Sequence, residues 1–214
     1  MKTSNIIILA VFIFIIILSI WNMLVIRDKV KEKFEIKQKS LVVEDLSAFR
    51  TLVVEDNIDL KIVPDKENKL KYYKDDSVLF RIYYDTLFVR GKGAAKLKVN
   101  TLNMVILKDN VVASFDNWNE VHCALRMSGE SIFKAKSMHT QNFKLLTLNN
   151  NVLKIDDSRI DTLVIDVNEN SVINIKDTKL KRATGEVKNN AILKVPYVED
   201  WGVLKKDDAI VSMD

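Results

Sequence analysis

Cysteine, histidine, proline and glycine are all scarce in this chain of 214 residues, which holds one Cys, two His, two Pro and five Gly. With Cys123 alone, neither an intramolecular disulfide nor an all-cysteine zinc site is possible. His122 and His139 stand at no metal-ligand spacing from each other or from Cys123. His122 is the sequence neighbour of Cys123, and adjacent residues of a strand face opposite ways, which argues against a Cys-His catalytic pair. Long irregular loops are unexpected where their usual residues are so few. The phrase Gly91-Lys92-Gly93 lacks the Ser/Thr signature and following helix of a phosphate-binding loop. A dominant charge is missing as well. Basic residues number 33 and acidic residues 29, for a net +4 spread along the chain, so no nucleic-acid partner is expected.

Apolar residues make up 48% of the chain, enough for one domain with a sizeable core and a short accessory segment. Residues 6–26, IIILAVFIFIIILSIWNMLVI, carry no charge. At about 1.5 Å per residue, a helix of that length crosses the roughly 30 Å hydrocarbon core of a bilayer. The run exceeds the roughly 7–15 apolar residues of a cleaved leader, no small-x-small site ends it, and no cysteine follows to accept a lipid. Residues 1–26 are therefore expected to be an uncleaved signal anchor, a transmembrane α-helix whose partner is the lipid bilayer. Residues 27–40 read as a charged juxtamembrane linker. Its Arg27, Lys29, Lys31 and Lys33 outweigh Lys2, so the positive-inside rule taken literally keeps the following domain in the cytoplasm. That rule weakens for a single anchor followed by a long domain, and the orientation is open at this point.

The rest of the chain repeats itself. The stretch NNNVLKIDD from Asn149 returns as ENSVINIKD from Glu169 and as NNAILKVPY from Asn189, twenty residues apart. Strings beginning at Val112, Ile132, Val152, Val172 and Ile192 keep one register, with apolar residues at their second and fourth positions and polar ones at the third. That is strand alternation. It predicts an inward column of Ala113, Phe133, Leu153, Ile173 and Leu193. A second alternating strand precedes each, with Val105, Leu125, Leu145, Ile165 and Val187 among its inward residues. Two strands per twenty-residue row, stacked on themselves, make parallel sheets with neighbours about 4.8 Å apart. The fold class predicted is all-β: a single-stranded parallel β-helix or solenoid over residues 41–214, preceded by the N-terminal transmembrane helix. The column Asn110, Glu130, Asn150, Asn170, Asn190 falls just before the repeated strand, and Asn suits a turn that needs the left-handed conformation.

Both ends depart from the pattern. TLVVE and IDLKIV in the first half, with two further runs in VLFRIYYDTLFVRG, predict hairpin-like strands that cap the first coil. EDWGVLKKDDAIVSMD breaks the repeat at the other end, and its AIVSM run is expected to form the final cap.

Candidate chemistry is thin. Asp157 and Asp177 lie one row apart, where two like charges could share a Ca²⁺ ion or raise one pKa; these are the metal candidates, beside the plainer reading of solvated turn residues. Tyr72, Tyr73, Tyr83, Tyr84 and Trp118 could form a sugar-stacking surface or simply pack. No catalytic constellation and no cofactor-binding signature stands out, so an enzyme is not expected.

With an N-terminal apolar anchor, the early strand pair FRTLVVEDNIDLKIV and then twenty-residue β coils with polar turns, residues 49–195 resemble the auto-transporter adhesin head GIN domain family. The resemblance implies a right-handed parallel β-helix on the envelope side of a bacterial membrane, with no established enzymatic role. The phrase MSGESIF, Met127 to Phe133, keeps something of that family's glycine-serine turns, and asparagine-rich corners replace the others. The functional expectation is a membrane-anchored binding or structural module of the cell envelope that contacts a protein or glycan. The alternatives are an envelope polysaccharide-active or carbohydrate-binding protein, and a cytoplasm-facing signalling or scaffold domain.

Overall fold

The computed structural model describes Met23, Arg27 and residues 40–213. The rest of the apolar run and of the juxtamembrane segment lie outside the described residues, among which no helix is long and apolar enough to cross a membrane. From Leu41 onward all regular structure is β, in a parallel β-solenoid of about six turns. In the regular part each turn supplies two strands. One outward face is built from β6 (Met104–Lys108), β8 (Asn119–Ser128), β10 (His139–Leu148), β12 (Arg159–Val167), β14 (Lys179–Val187) and β16 (Val198–Lys205). A second face is built from β7 (Val112–Asp116), β9 (Ile132–Lys136), β11 (Val152–Asp156), β13 (Val172–Lys176), β15 (Ile192–Val195) and β17 (Ile210–Met213).

The twenty-residue period is the register itself. Leu153 pairs with Phe133 on one side and Ile173 on the other, and Phe143 pairs likewise with Cys123 and Leu163. Ala113, Phe133, Leu153, Ile173 and Leu193 are buried to 1% exposure or less, as the alternation requires. Burying each of the larger side chains stabilises by roughly 1.5–3 kcal/mol, and stacking places every one against its counterparts above and below.

Corners are set by left-handed residues. Asp109-Asn110, Asn149-Asn150, Glu169-Asn170 and Asn189-Asn190 all have positive φ, and Gly129-Glu130 completes the series. Each pair reverses the chain so that the next residue points inward: Val111, Ser131, Asn151, Ser171 and Ala191 are all buried. Outside, Asn170 Nδ2 donates to Asn150 Oδ1 at 3.3 Å, so the asparagines do bond along the stack. Inside runs a second polar ladder, centred on Asn151. Asn151 Oδ1 accepts from the Ser131 amide at 3.0 Å, its Nδ2 donates to the carbonyls of Met127 and Leu148, and its own amide donates to Ser171 Oγ at 3.4 Å. A buried amide side chain thus satisfies backbone groups that the corner takes out of the sheet.

The first rows are built differently from the expectation. β2 (Thr51–Pro64) is one strand of 14 residues, and it lies between β5 (Thr86–Val99) and the β6–β7 row: Lys61 pairs with Lys96 on one side and Ser114 on the other. TLVVE and IDLKIV are therefore a row of the solenoid, not cap strands. Asp56-Asn57-Ile58 occupies in β2 the corner that Asp109-Asn110-Val111 occupies one row on, with Asp56 at φ 68. The repeat continues through β2, but the chain between it and β6 makes an excursion that destroys the twenty-residue step. That excursion is the cover. β3 (Lys69–Tyr73) and β4 (Ser77–Tyr83) run antiparallel to β5 along its outer edge, and β1 (Leu41–Asp45) pairs with β3. β4 lies so close to β5 that a Cβ on Gly91, at φ 123, would sit 1.8 Å from the Ser77 carbonyl oxygen. Only glycine fits there.

At the other end, β16 and β17 are a further row, not a cap. Leu180 pairs with Val198 and Ile192 with Ile210, a step of eighteen residues. The row continues although the corner around Pro196 is two residues shorter, and that shortening hides it from a twenty-residue comparison.

Candidate functional site

Asp157 and Asp177 occupy successive exposed corners, at φ 49 and 47. Asn117 and Ser137 hold the equivalent positions in earlier rows with the same left-handed backbone. Short polar residues tolerate that conformation best, so the backbone alone accounts for both aspartates. Ser137 Oγ donates to Asp157 Oδ2 at 3.5 Å. Among the described residues no group of three His, Cys, Asp or Glu is gathered closely enough to hold a metal ion. Tyr197, which twenty-residue counting places in this column, falls instead beside Lys179, because Val198 is paired with Leu180.

Cys123 faces the core at 4% exposure, stacked on Phe143. Burial, reinforced by the Glu120 charge, pushes its thiol up to about 12, so it is protonated and inert at neutral pH. His122 faces solvent, its Nδ1 3.2 Å from Asn142 Nδ2. The two side chains are on opposite faces of one strand.

The aromatic candidates separate. Trp118 leaves the set: it is 1% exposed and stacked on Phe115, with centroids 4.4 Å apart and planes 16° from parallel. Its position after the Asn117 corner turns it inward, in the column that continues as Met138, and no hydrogen-bond partner reaches its indole nitrogen. Tyr72 packs edge-on against Phe80. Tyr83 and Tyr84 remain exposed at the β4–β5 turn, edge to face at 4.4 Å between centroids. They form a small patch at one end of the stack.

An open groove follows the bend that β8, β10, β12 and β14 make beyond their first residues. Asn119, Val121, His139 and Gln141 line one part of it, Lys179, Lys181, Tyr197 and Glu199 another, and Arg159 and Asp161 belong to both. The Lys181 ammonium, 2.8 Å from Asp161, and more weakly Arg159 at 3.8 Å hold the Asp161 carboxyl below its ordinary range. Burial moves Glu120 the other way, above it. Glu120 and Asp161 both line this groove, the one partly desolvated and the other paired with Lys181.

No protein-family model matches the chain, and no curated protein matches it in sequence. Solved structures do match. A putative adhesin from Bacteroides fragilis is 12% identical with a TM-score of 0.63, over 82% of this chain and 98% of that one. A putative adhesin from Parabacteroides merdae is 10% identical with a TM-score of 0.58, over 82% and 94%. A protein from Parabacteroides distasonis described as a putative lipid binding protein is 10% identical with a TM-score of 0.51, over 81% and 94%. At such identities the likeness shows a shared fold, the β-solenoid, over the part of the chain described above.

Proposed function

We propose that this chain is a non-enzymatic binding module of the bacterial cell envelope, an adhesin head of the GIN kind held at the membrane by residues 6–26. The observation that carries the reading is the pair of unbroken outward β faces, which repeat the same few side-chain columns row after row and present them rigidly along the stack. Surfaces of that form suit recognition of extended partners. Further support comes from fold neighbours named as adhesins. The apolar run would tether the module, and the charged linker would set its distance from the bilayer.

Orientation decides the compartment. Protease treatment of intact spheroplasts, with a cytoplasmic marker to verify that they are sealed, should digest a C-terminal epitope tag before lysis. Protection until lysis would favour the second reading, a cytoplasm-facing scaffold, for which the observation is the basic flank of Arg27, Lys29, Lys31 and Lys33.

A further inference from the structure

The even spread of charge along the sequence does not survive folding. Residues twenty apart become neighbours, and on the second outward face they align Lys134 with Lys154 directly, then Asn174 and Lys194. Toward the N-terminal end the same column passes through Ser114 to Lys61 and Lys96. All five lysines are exposed. Lys61 is paired with Asp116 at 2.7 Å, but none of Lys96, Lys134, Lys154 and Lys194 has an ion-pair partner among the described residues. Like charges directly opposite one another on a sheet are destabilising, so this column carries an electrostatic cost that an anionic partner would relieve. On the first face several cations are neutralised internally, Lys108 by Glu55 at 2.7 Å, Lys188 by Asp166 at 3.2 Å and Lys206 by Glu186 at 2.8 Å.

The columns on either side narrow the partner. To one side runs a half-buried aliphatic line through Val112, Ile132, Val152, Val172 and Ile192. To the other, Asp116 and Asp156 alternate with Lys136 and Lys176. Cationic charge is therefore concentrated in one file along the stack, about 4.8 Å per rung. Ser114 and Asn174 interrupt it with neutral hydrogen-bonding groups. A flat bilayer would press on all three columns and meet Asp116 and Asp156. A single extended chain can lie on the lysine file with its apolar edge along the aliphatic line.

We infer that this face binds an extended acidic polysaccharide, its carboxylates on the lysine file, its hydroxyls on Ser114 and Asn174, and its sugar C–H edges against the aliphatic line. The inference rests on the binding-module reading and names the site and ligand class for it.

The test is calorimetric titration of the full chain in an uncharged detergent with polygalacturonate, against dextran as a neutral polymer and against vesicles of phosphatidylglycerol. The expected result is binding of polygalacturonate that weakens with salt, with no binding of dextran. Lys134→Gln/Lys154→Gln/Lys194→Gln should weaken it at least tenfold. The corresponding triple Lys→Arg variant should keep it, and Lys144→Gln on the first face should leave it unchanged. Thermal unfolding of the Gln variant should be no lower than wild type, since it removes only exposed charges that repel. Equal binding by the Gln variant, equal binding of dextran, or binding of the vesicles alone would overturn the assignment. If the tag remains outside and the protein still crosslinks to an envelope component after such a result, the ladder fails and the binding-module reading stands.

Discussion

The first rows of the solenoid and the later ones reach the same cross-section by different means. From β6 onward each row breaks into two strands at an Asx-rich, left-handed corner, and the rows cover one another. In β2 and β5 a single strand of 14 residues passes over both faces; β5 turns at Gly91 and Gly93, and its outer edge is covered by antiparallel β3 and β4. A repeating row can use its neighbour as partner and needs only a corner that does not clash. The outermost row has no further repeat on one side, so the chain supplies a special element there and pays for it in lost periodicity.

Core substitutions test that comparison most severely. Leu153→Asp in β11 and Leu60→Asp in β2 each bury a carboxylate at a site with 0% exposure, and each should cost several kcal/mol in denaturant unfolding. If Leu60→Asp were tolerated while Leu153→Asp was not, β2 would be a dispensable cover and not a row. Next in size is Asn151→Leu, which fills the same space but leaves the Ser131 amide and the Met127 and Leu148 carbonyls without their side-chain partner. A loss of roughly 2–3 kcal/mol is expected, whereas Leu at a purely apolar site would have been neutral.

Corner chemistry should differ between the two regions. Gly91→Ala forces a Cβ into the Ser77 carbonyl and should cost about 1–3 kcal/mol, with faster amide exchange in β4 as the local sign. Asn150→Ala should cost only about 1 kcal/mol, and Asn150→Gly less, because that corner asks chiefly for positive φ and the side-chain bond lost, from Asn170 Nδ2, is exposed. The smallest effect concerns pH. Burial raises the Glu120 carboxyl in the folded state, so the native protein holds that proton more tightly than the unfolded chain. Its contribution to stability is greatest below the unfolded pKa and declines as pH rises through the folded one. Glu120→Gln should remove that decline from the pH profile of unfolding and leave the rest of the profile in place.

The sequence made the architecture legible wherever the row length is constant. Alternation located the columns of Leu153 and Phe143, and the asparagine phrase located the corners, because both follow from local backbone geometry. The rows of β2, β5 and β16–β17 escaped for one reason, a step other than twenty residues. The step into β16–β17 is eighteen residues, and the step from β2 to β6–β7 is interrupted by β3, β4 and β5, although Asp56-Asn57-Ile58 and Asp109-Asn110-Val111 share a corner phrase that would have joined them. For Trp118 the sequence allows a stacking surface or simple packing, and the structure selects packing: the corner at Asn117 shifts the alternation by one residue and turns the indole inward. The lysine file is hidden in the sequence because its members lie twenty or more residues apart, where a composition count sees only scattered charge; it becomes visible once Lys134 and Lys154 are placed on adjacent rungs and Lys194 beyond the neutral rung Asn174. Asp157 and Asp177, by contrast, looked distinctive in the sequence and have a backbone reason for being there.

The proposed reading makes the second face of the stack an occupied binding surface outside the cytoplasm. Labelling of lysines with a membrane-impermeant acylating reagent, on living cells and on the purified full chain, would test it residue by residue by mass spectrometry. Lys144 on the first face should label in both settings, while Lys134, Lys154 and Lys194 should be protected in cells and reactive once purified. Equal labelling of all four in both settings would contradict an occupied second face, and a Lys144 that never reacts in intact cells would contradict the location.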